Sequence, residues 1–344
     1  MNTFETSGCA GADWVIGDAG DVFTRLSSAS EGTWTGLHGE ERLLVEAELA
    51  LGRCDFARAR NCCVSLSKFT RFFPCVVRIG SVAAIGLGDV LYFDELRAAV
   101  ENFRREQEAD PQGRFLADIL EGWLQICLWR FDLPQWMRLF DMEALPMAWR
   151  QSAAYLGVMA HLRAGNFDVV YATVSLMMSV RPKLSSETAH MTPMHVNLMM
   201  AKAVACRETG KDAEMRRLLE TAIRALAPRG ILLPFILFLY GTRQSPVAEI
   251  LRTVAPREVG RLRKIDRSYF VNLIRVRNHV TGERMADDLT LREFYLATLL
   301  KRGMLYKELA SHIGMSLGRI KNIMLDIHLK LDVHSRSELE AKIW

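Results

Sequence analysis

The sequence lacks the motifs on which most cofactor-dependent and catalytic chemistry rests. No Gly-x-x-x-x-Gly-Lys-Ser/Thr occurs, so no loop of that kind cradles nucleotide phosphates. His-Glu-x-x-His and Gly-x-Gly-x-x-Gly are also missing. Those absences remove the zinc-peptidase and dinucleotide-binding readings that such motifs carry. No aspartate cluster suggests a phosphorylated receiver. Carboxylates are scattered along helix faces, so no enzyme, catalytic residue or cofactor is expected. The seven cysteines are irregularly spaced, without Cys-x-x-Cys, and the adjacent Cys62 and Cys63 cannot easily pair. This pattern predicts reduced, buried thiols in a cytoplasmic protein, with a redox sensor as the alternative.

Long apolar runs are missing too. The longest, Gly230 to Tyr240, is broken by Pro234 and is too short to span a bilayer. The first residues show no basic segment followed by an apolar one, so no signal peptide and no membrane partner are expected. Met and His alternate around His190, Met191, Met194 and His195, and both are soft ligands. The favoured reading is a helix entry capped by Thr192 with Pro193 in its first turn, and no metal.

What is present reads as all-α. Half of the 344 residues are hydrophobic and 24% are charged, which suits a globular chain of two or three domains. No period-2 strand pattern emerges, and even the β-branched stretch Val76 to Ile85 sits among helical neighbours. Residues 1–38 are rich in Gly, Ser and Ala and predict a loosely ordered arm. Residues 39–256 predict a helical sensor or interaction body, 257–285 a basic linker, and 286–344 a C-terminal domain. Charge divides along these lines. Residues 257–344 hold 17 Lys and Arg against 11 Asp and Glu, while the remainder holds 27 against 29. A basic end on a near-neutral body suits nucleic-acid binding.

Within the body a helix repeatedly ends at glycine, makes a short polar turn and restarts. Gly52, Gly88, Gly165 and Gly210 mark these turns, spaced 36, 77 and 45 apart. The long gap leaves room for one more turn near Trp129 to Leu133, without its glycine. The pattern resembles tetratricopeptide helical hairpins, whose tandem repeats keep a stricter period. Such hairpins bury their apolar faces by stacking, so residues 1–256 are expected to fold alone. A stacked array offers a groove for an unknown small-molecule or peptide effector. Trp123, Trp129, Trp136, Trp149 and Tyr155 are candidates to line it, with packing in the core as the alternative. Residues 214–240 resemble the terminal repeat of MalT-like regulators, here without their ATPase.

The C-terminal stretch is the most informative. Thr290 with Glu293, and Ser335 with Glu338, have the spacing of capping boxes. Gly303 ends the first helix. Tyr306 to Ile313 form a second, Gly314 turns the chain, and Ser316 caps a third that buries Ile320, Ile323, Met324, Ile327 and Leu331. Two short helices joined by a glycine turn, with basic residues opening the second, follow helix-turn-helix logic. Lys321 and Asn322 fall where base edges are read, while Lys307, Arg319, Lys330 and Arg336 are placed to reach phosphates.

These residues resemble the LuxR-type (NarL/FixJ, GerE-like) DNA-binding domain. The matching runs are Leu289-Thr290-x-Arg292-Glu293, Gly303-x-x-x-Lys307-Glu308-Leu309-Ala310, Ile320-Lys321-Asn322, Lys330-Leu331 and Val333-x-Ser335-Arg336-x-Glu338-Leu339. The resemblance implies a regulator of transcription that binds double-stranded DNA as a homodimer paired through its last helix. RNA polymerase is a further candidate partner. DNA contacts would come from Lys307, Ser316, Arg319, Lys321, Asn322, Leu325, Lys330 and Arg336. Arg319, Ile323, Asp326, Leu305 and Asp332 depart from the family's usual residues, so its operator preference is not carried over. The alternative is an interaction scaffold whose last domain no longer binds DNA.

Overall fold

A computed structural model describes residues 39–179, 193–238, 246–282, 289, 291–301 and 303–342. The expected N-terminal arm, Thr192 and Thr290 lie outside the described residues. Among those described there are helices and turns but no strand, as the aperiodic sequence implied.

The helices are α1 (Gly39–Gly52), α2 (Phe56–Leu66), α3 (Phe73–Leu87), α4 (Val90–Glu106), α5 (Pro111–Cys127), the short α6 (Gln135–Arg138), α7 (Met147–Ala164), α8 (Phe167–Ser179), α9 (Pro193–Glu208), α10 (Asp212–Leu226), α11 (Leu233–Phe238), α12 (Pro246–Val254) and α13 (Pro256–Thr281). Four shorter ones follow: α14 (Leu291–Lys301), α15 (Tyr306–Ile313), α16 (Leu317–Leu331) and α17 (Arg336–Lys342).

The turns between body helices share one construction. Cys54, Gly88, Trp129, Gly165 and Gly210 all have left-handed φ, between 57° and 79°. The next residue's N–H reaches back across the helix end: Asp55 to Ala50, Asp89 to Ala84, Arg130 to Gln125, Asn166 to His161 and Lys211 to Cys206, at 2.8–3.0 Å. This closure satisfies carbonyls that a helix end leaves open. Asp55 and Asp89 then accept from Arg58 and Tyr92 N–H to start the next helix. The turn expected near Trp129 without a glycine is therefore present, and Trp129 itself adopts the left-handed conformation.

Alternate helices pack in order: α1 on α3, then α5, α7, α9 and α11. The row returns on itself, because α11 meets α1 and Leu232 N–H donates to Gly52 O at 2.8 Å. Close packing shows at Gly86, where an added Cβ would come within 2.3 Å of the Phe56 ring. Arg78 of α3 pairs with the buried Glu48 of α1 inside this row. The segment from Thr70 to Leu87 is long and apolar enough to cross a membrane, yet 61% of it is buried in the fold. Cys63 and Cys75 are buried, which pushes their thiols up to about 12, so they stay protonated at neutral pH.

The expected basic linker is corrected. Residues 256–281 of that region form α13, a 26-residue helix packed on the body. Leu262, Tyr269, Phe270, Leu273, Ile274 and Val276 are buried along one side. Tyr269 meets Phe56, and Phe270 meets Trp129 edge-on. Polar side chains of α13 cap three helix ends: Arg261 donates to Arg53 O (2.6 Å), Asn272 to Gly86 O (2.8 Å) and Arg277 to Leu128 O (2.7 Å). Burying an apolar side chain contributes roughly 1.5–3 kcal/mol. The six on α13 together match the roughly 5–15 kcal/mol that holds a typical domain folded. The body therefore ends near residue 281, not 256. Fragment 39–281 is expected to melt cooperatively, whereas fragment 39–256 is expected to lack a cooperative transition by calorimetry. A sharp melt of the shorter fragment would refute this boundary.

Asp266 lies on the inward side of α13, where burial raises its carboxyl to about 6. In the unfolded chain it titrates near 4, so the native fold favours the protonated form. Its contribution to stability is thus present below about pH 4 and lost as pH rises through about 6. Asp266→Asn should stabilise the protein by about 1–3 kcal/mol at pH 8 and leave it unchanged at pH 4. Denaturant titrations at the two pH values check this.

Candidate nucleic-acid interface

Helices α15 and α16 form the centre of the C-terminal unit. Helix α15 starts after Leu305, whose backbone N–H donates to the Glu308 carboxylate at 2.7 Å. A leucine side chain has no acceptor, so only that half of a capping box exists here. Gly314 ends α15 with φ 68°, and Met315 N–H reaches Ala310 O. Ser316 then caps α16, accepting from Arg319 N–H at 3.3 Å. Ile320, Met324 and Ile327 are buried at helical spacing beside Leu309, Ile313, Leu296 and Leu300. Asp332 closes α16 at φ 50°, a left-handed position that normally favours glycine. Glu338 starts α17, bonded to the Ser335 hydroxyl and to His334 N–H.

This scaffold turns one side of α16 outward. Arg319, Lys321, Asn322, Leu325 and Asp326 are exposed, as are Ser316 and, on α15, Lys307. Lys321, Leu325 and Leu329 follow one another at four-residue steps and make a ridge. Asn322 and Asp326 make the neighbouring one. The face is mixed in charge, with Arg319 and Lys321 beside Asp326. Its chemistry is hydrogen bonding from Lys321 and Asn322 with an apolar contact from Leu325.

Two of the expected phosphate contacts already have partners inside the unit. The Lys330 ammonium sits 2.9 and 3.0 Å from both oxygens of Glu293, a buried carboxylate on α14. The Arg336 guanidinium donates to Leu300 O at 2.6 Å, at the carbonyl end of α14. Each cation answers a charge or dipole inside the unit, although the Lys330 side chain stays 36% exposed. Comparison with known proteins adds nothing to this geometry. No protein-family model, curated protein or solved structure matches the chain.

The aromatic residues proposed for a ligand groove separate into packing clusters. Trp123 and Tyr155 are buried and stacked at 5.2 Å. Trp136 meets Phe115 edge-on and donates to Asp118 at 3.0 Å. Trp129 packs on Phe270 of α13, and Trp149 is buried. Trp123, Trp149 and Tyr155 belong to the core, and Trp129 and Trp136 pack partly buried against it. Among the described residues no group of His, Cys, Asp and Glu is arranged to hold a metal ion.

Sequence reasoning missed Leu329, which is 79% exposed and prolongs the ridge begun by Lys321 and Leu325. Its four-residue spacing from Leu325 was the available signal. It also missed the Glu293–Lys330 pair, whose partners are far apart in sequence. Lys330→Met should destabilise the C-terminal unit by about 1–3 kcal/mol, because the buried Glu293 carboxylate would lose the ammonium that both its oxygens face. Lys330→Met with Glu293→Gln should recover most of that loss. Hydrogen exchange of α14 and α16 amides measures both. Equal protection in the single variant and the wild type would refute the role.

Proposed function

We propose that this chain is a DNA-binding regulator of transcription, with a tetratricopeptide-like body and a LuxR-type C-terminal domain. In this reading α16 is the recognition helix and enters the major groove. The observation that carries it is the pair Lys321–Asn322, exposed in the first turns of a helix presented by a glycine turn. Both side chains can make paired hydrogen bonds to base edges there. Leu325, one turn on, is placed for a thymine methyl. Lys307 and Arg319 are placed for phosphates, which position without specifying. The protein would be a cytoplasmic homodimer joined through α17, with no enzymatic activity and no cofactor. Its body would take a small molecule, a peptide or another protein as effector. Any such effector acts only by binding two arrangements of the protein unequally.

The exposed ridge also favours a second reading. Leu325 and Leu329 are 61% and 79% exposed on one side of α16, as suits contact with another protein. The C-terminal unit would then be a docking module on an interaction scaffold.

Affinities of full-length variants for operator-like and random duplexes, across a salt series, separate the two. Operator-like sequence can be selected from a random pool by the protein itself. Lys321→Ala should cost about 1–3 kcal/mol of discrimination at the selected site and less on random DNA. Lys307→Ala should weaken both duplexes alike and lower the salt slope by about one. Asp326→Asn removes a charge opposing phosphate and should tighten binding to both. If none of the three changes affinity for any duplex, α16 is not in a groove and the scaffold reading stands.

A further inference from the structure

The body-facing side of α13 is fully engaged, and its other side is not. At 3.6 residues per turn Arg257, Lys264, Ser268, Val271 and Arg275 fall on one face, opposite Leu262, Tyr269, Leu273 and Arg277. All five are exposed. Arg263, also exposed, flanks them. The cationic groups of Arg257, Lys264 and Arg275 make no ion pair or hydrogen bond among the described residues, and Ser268 bonds only the Lys264 carbonyl. The acids on the helix do not neutralise this face. Glu258 pairs with Arg261, and Asp266 is turned inward. At the far end Asp94 of α4 is held by His279 and Arg97. A cationic stripe therefore runs from Arg257 to Arg275, about 27 Å along the helix.

We propose that this stripe is a second DNA contact, one that grips backbone phosphates without reading sequence. The inference rests on the DNA-binding reading above. Three unpaired cations in a row complement a regularly spaced line of phosphates, and a duplex turn of about 34 Å is long enough to span the stripe. The stripe also leads toward the unit carrying α16, since α14 packs against α13. An anionic membrane is a poorer fit. A helix lying in a lipid interface presents large apolar residues beside its cations, and here the face offers Val271 alone. With this contact the duplex would be held by the body as well as by the C-terminal unit. Reading at α16 and gripping at α13 would then be separable functions.

The test uses the full chain and a random-sequence duplex. Each phosphate contact contributes about 0.9 to the dependence of log affinity on log salt. The triple variant Arg257→Gln, Lys264→Gln, Arg275→Gln should lower that slope by about 2.7, and Lys264→Gln alone by about 0.9. Both should melt with the wild type, because the replaced groups are exposed. If Lys307→Ala lowers the slope and the triple variant does not, the stripe makes no DNA contact while the DNA-binding reading survives. If the wild type binds no duplex at low salt, both fall. Loss of sedimentation with phosphatidylserine vesicles in the triple variant, with an unchanged DNA slope, would assign the stripe to a membrane surface and overturn the inference.

Discussion

Three helix ends in the body hand their open carbonyls to a single helix. Arg261, Asn272 and Arg277 of α13 reach the ends of α1, α3 and α5. The carbonyl end of a helix carries partial negative charge and unsatisfied acceptors, so a cation placed there gains twice. Arg277 is itself buried, at 3% exposure. Part of its cost of desolvation is offset by the Leu128 and Trp129 carbonyls at the end of α5. The turn edge of the first three hairpins and the position of α13 thus depend on one another. A shift of any of these helices along its axis would break a hydrogen bond inside the protein, not one to water. Because α13 leads into α14, this is also the route by which a rearranged body would reach the C-terminal unit.

Much of the body was legible in the sequence because its turns are local. A helix that ends in a left-handed residue followed by Asp or Asn at the next start writes both signals within a few positions, as at Gly88–Asp89 and Gly165–Asn166. Even Trp129 was locatable from the spacing of its neighbours. Helix α13 was not legible. Its inward face carries Asn272 and Arg277 among the apolar residues and its outward face is basic, so composition alone reads as a solvated connector. What makes it part of the body is the set of carbonyls waiting on other helices, and no local pattern records those.

The same division holds in the C-terminal unit. The caps at Ser316 and Ser335, the ends at Gly303 and Gly314 and the buried side of α16 all follow from residues close in the chain. The roles of its cations do not. Lys321 and Lys330 look equivalent on a helix of this composition, yet Lys330 faces Glu293 on α14 and Lys321 faces outward. Arg336 is likewise drawn to Leu300 O. The aromatic residues show a related ambiguity, since Trp123 and Tyr155 stack whether or not a cavity lies beside them. Which partner a long side chain finds is settled by tertiary packing, and that lies beyond the reach of periodicity.

The return of α11 onto α1 gives the body a property that open helical stacks lack. An open stack has two free ends, so it can gain or lose a hairpin at either one and keep the remaining interfaces. A circuit joined by Leu232 and Gly52 has no such freedom. One hairpin more or fewer would change the angle between successive helices all the way round, or leave the seam open. The number of hairpins is therefore set by closure, as the number of staves is set in a barrel. Length variation between forms of such a protein would be confined to the connections, leaving the count of helices intact.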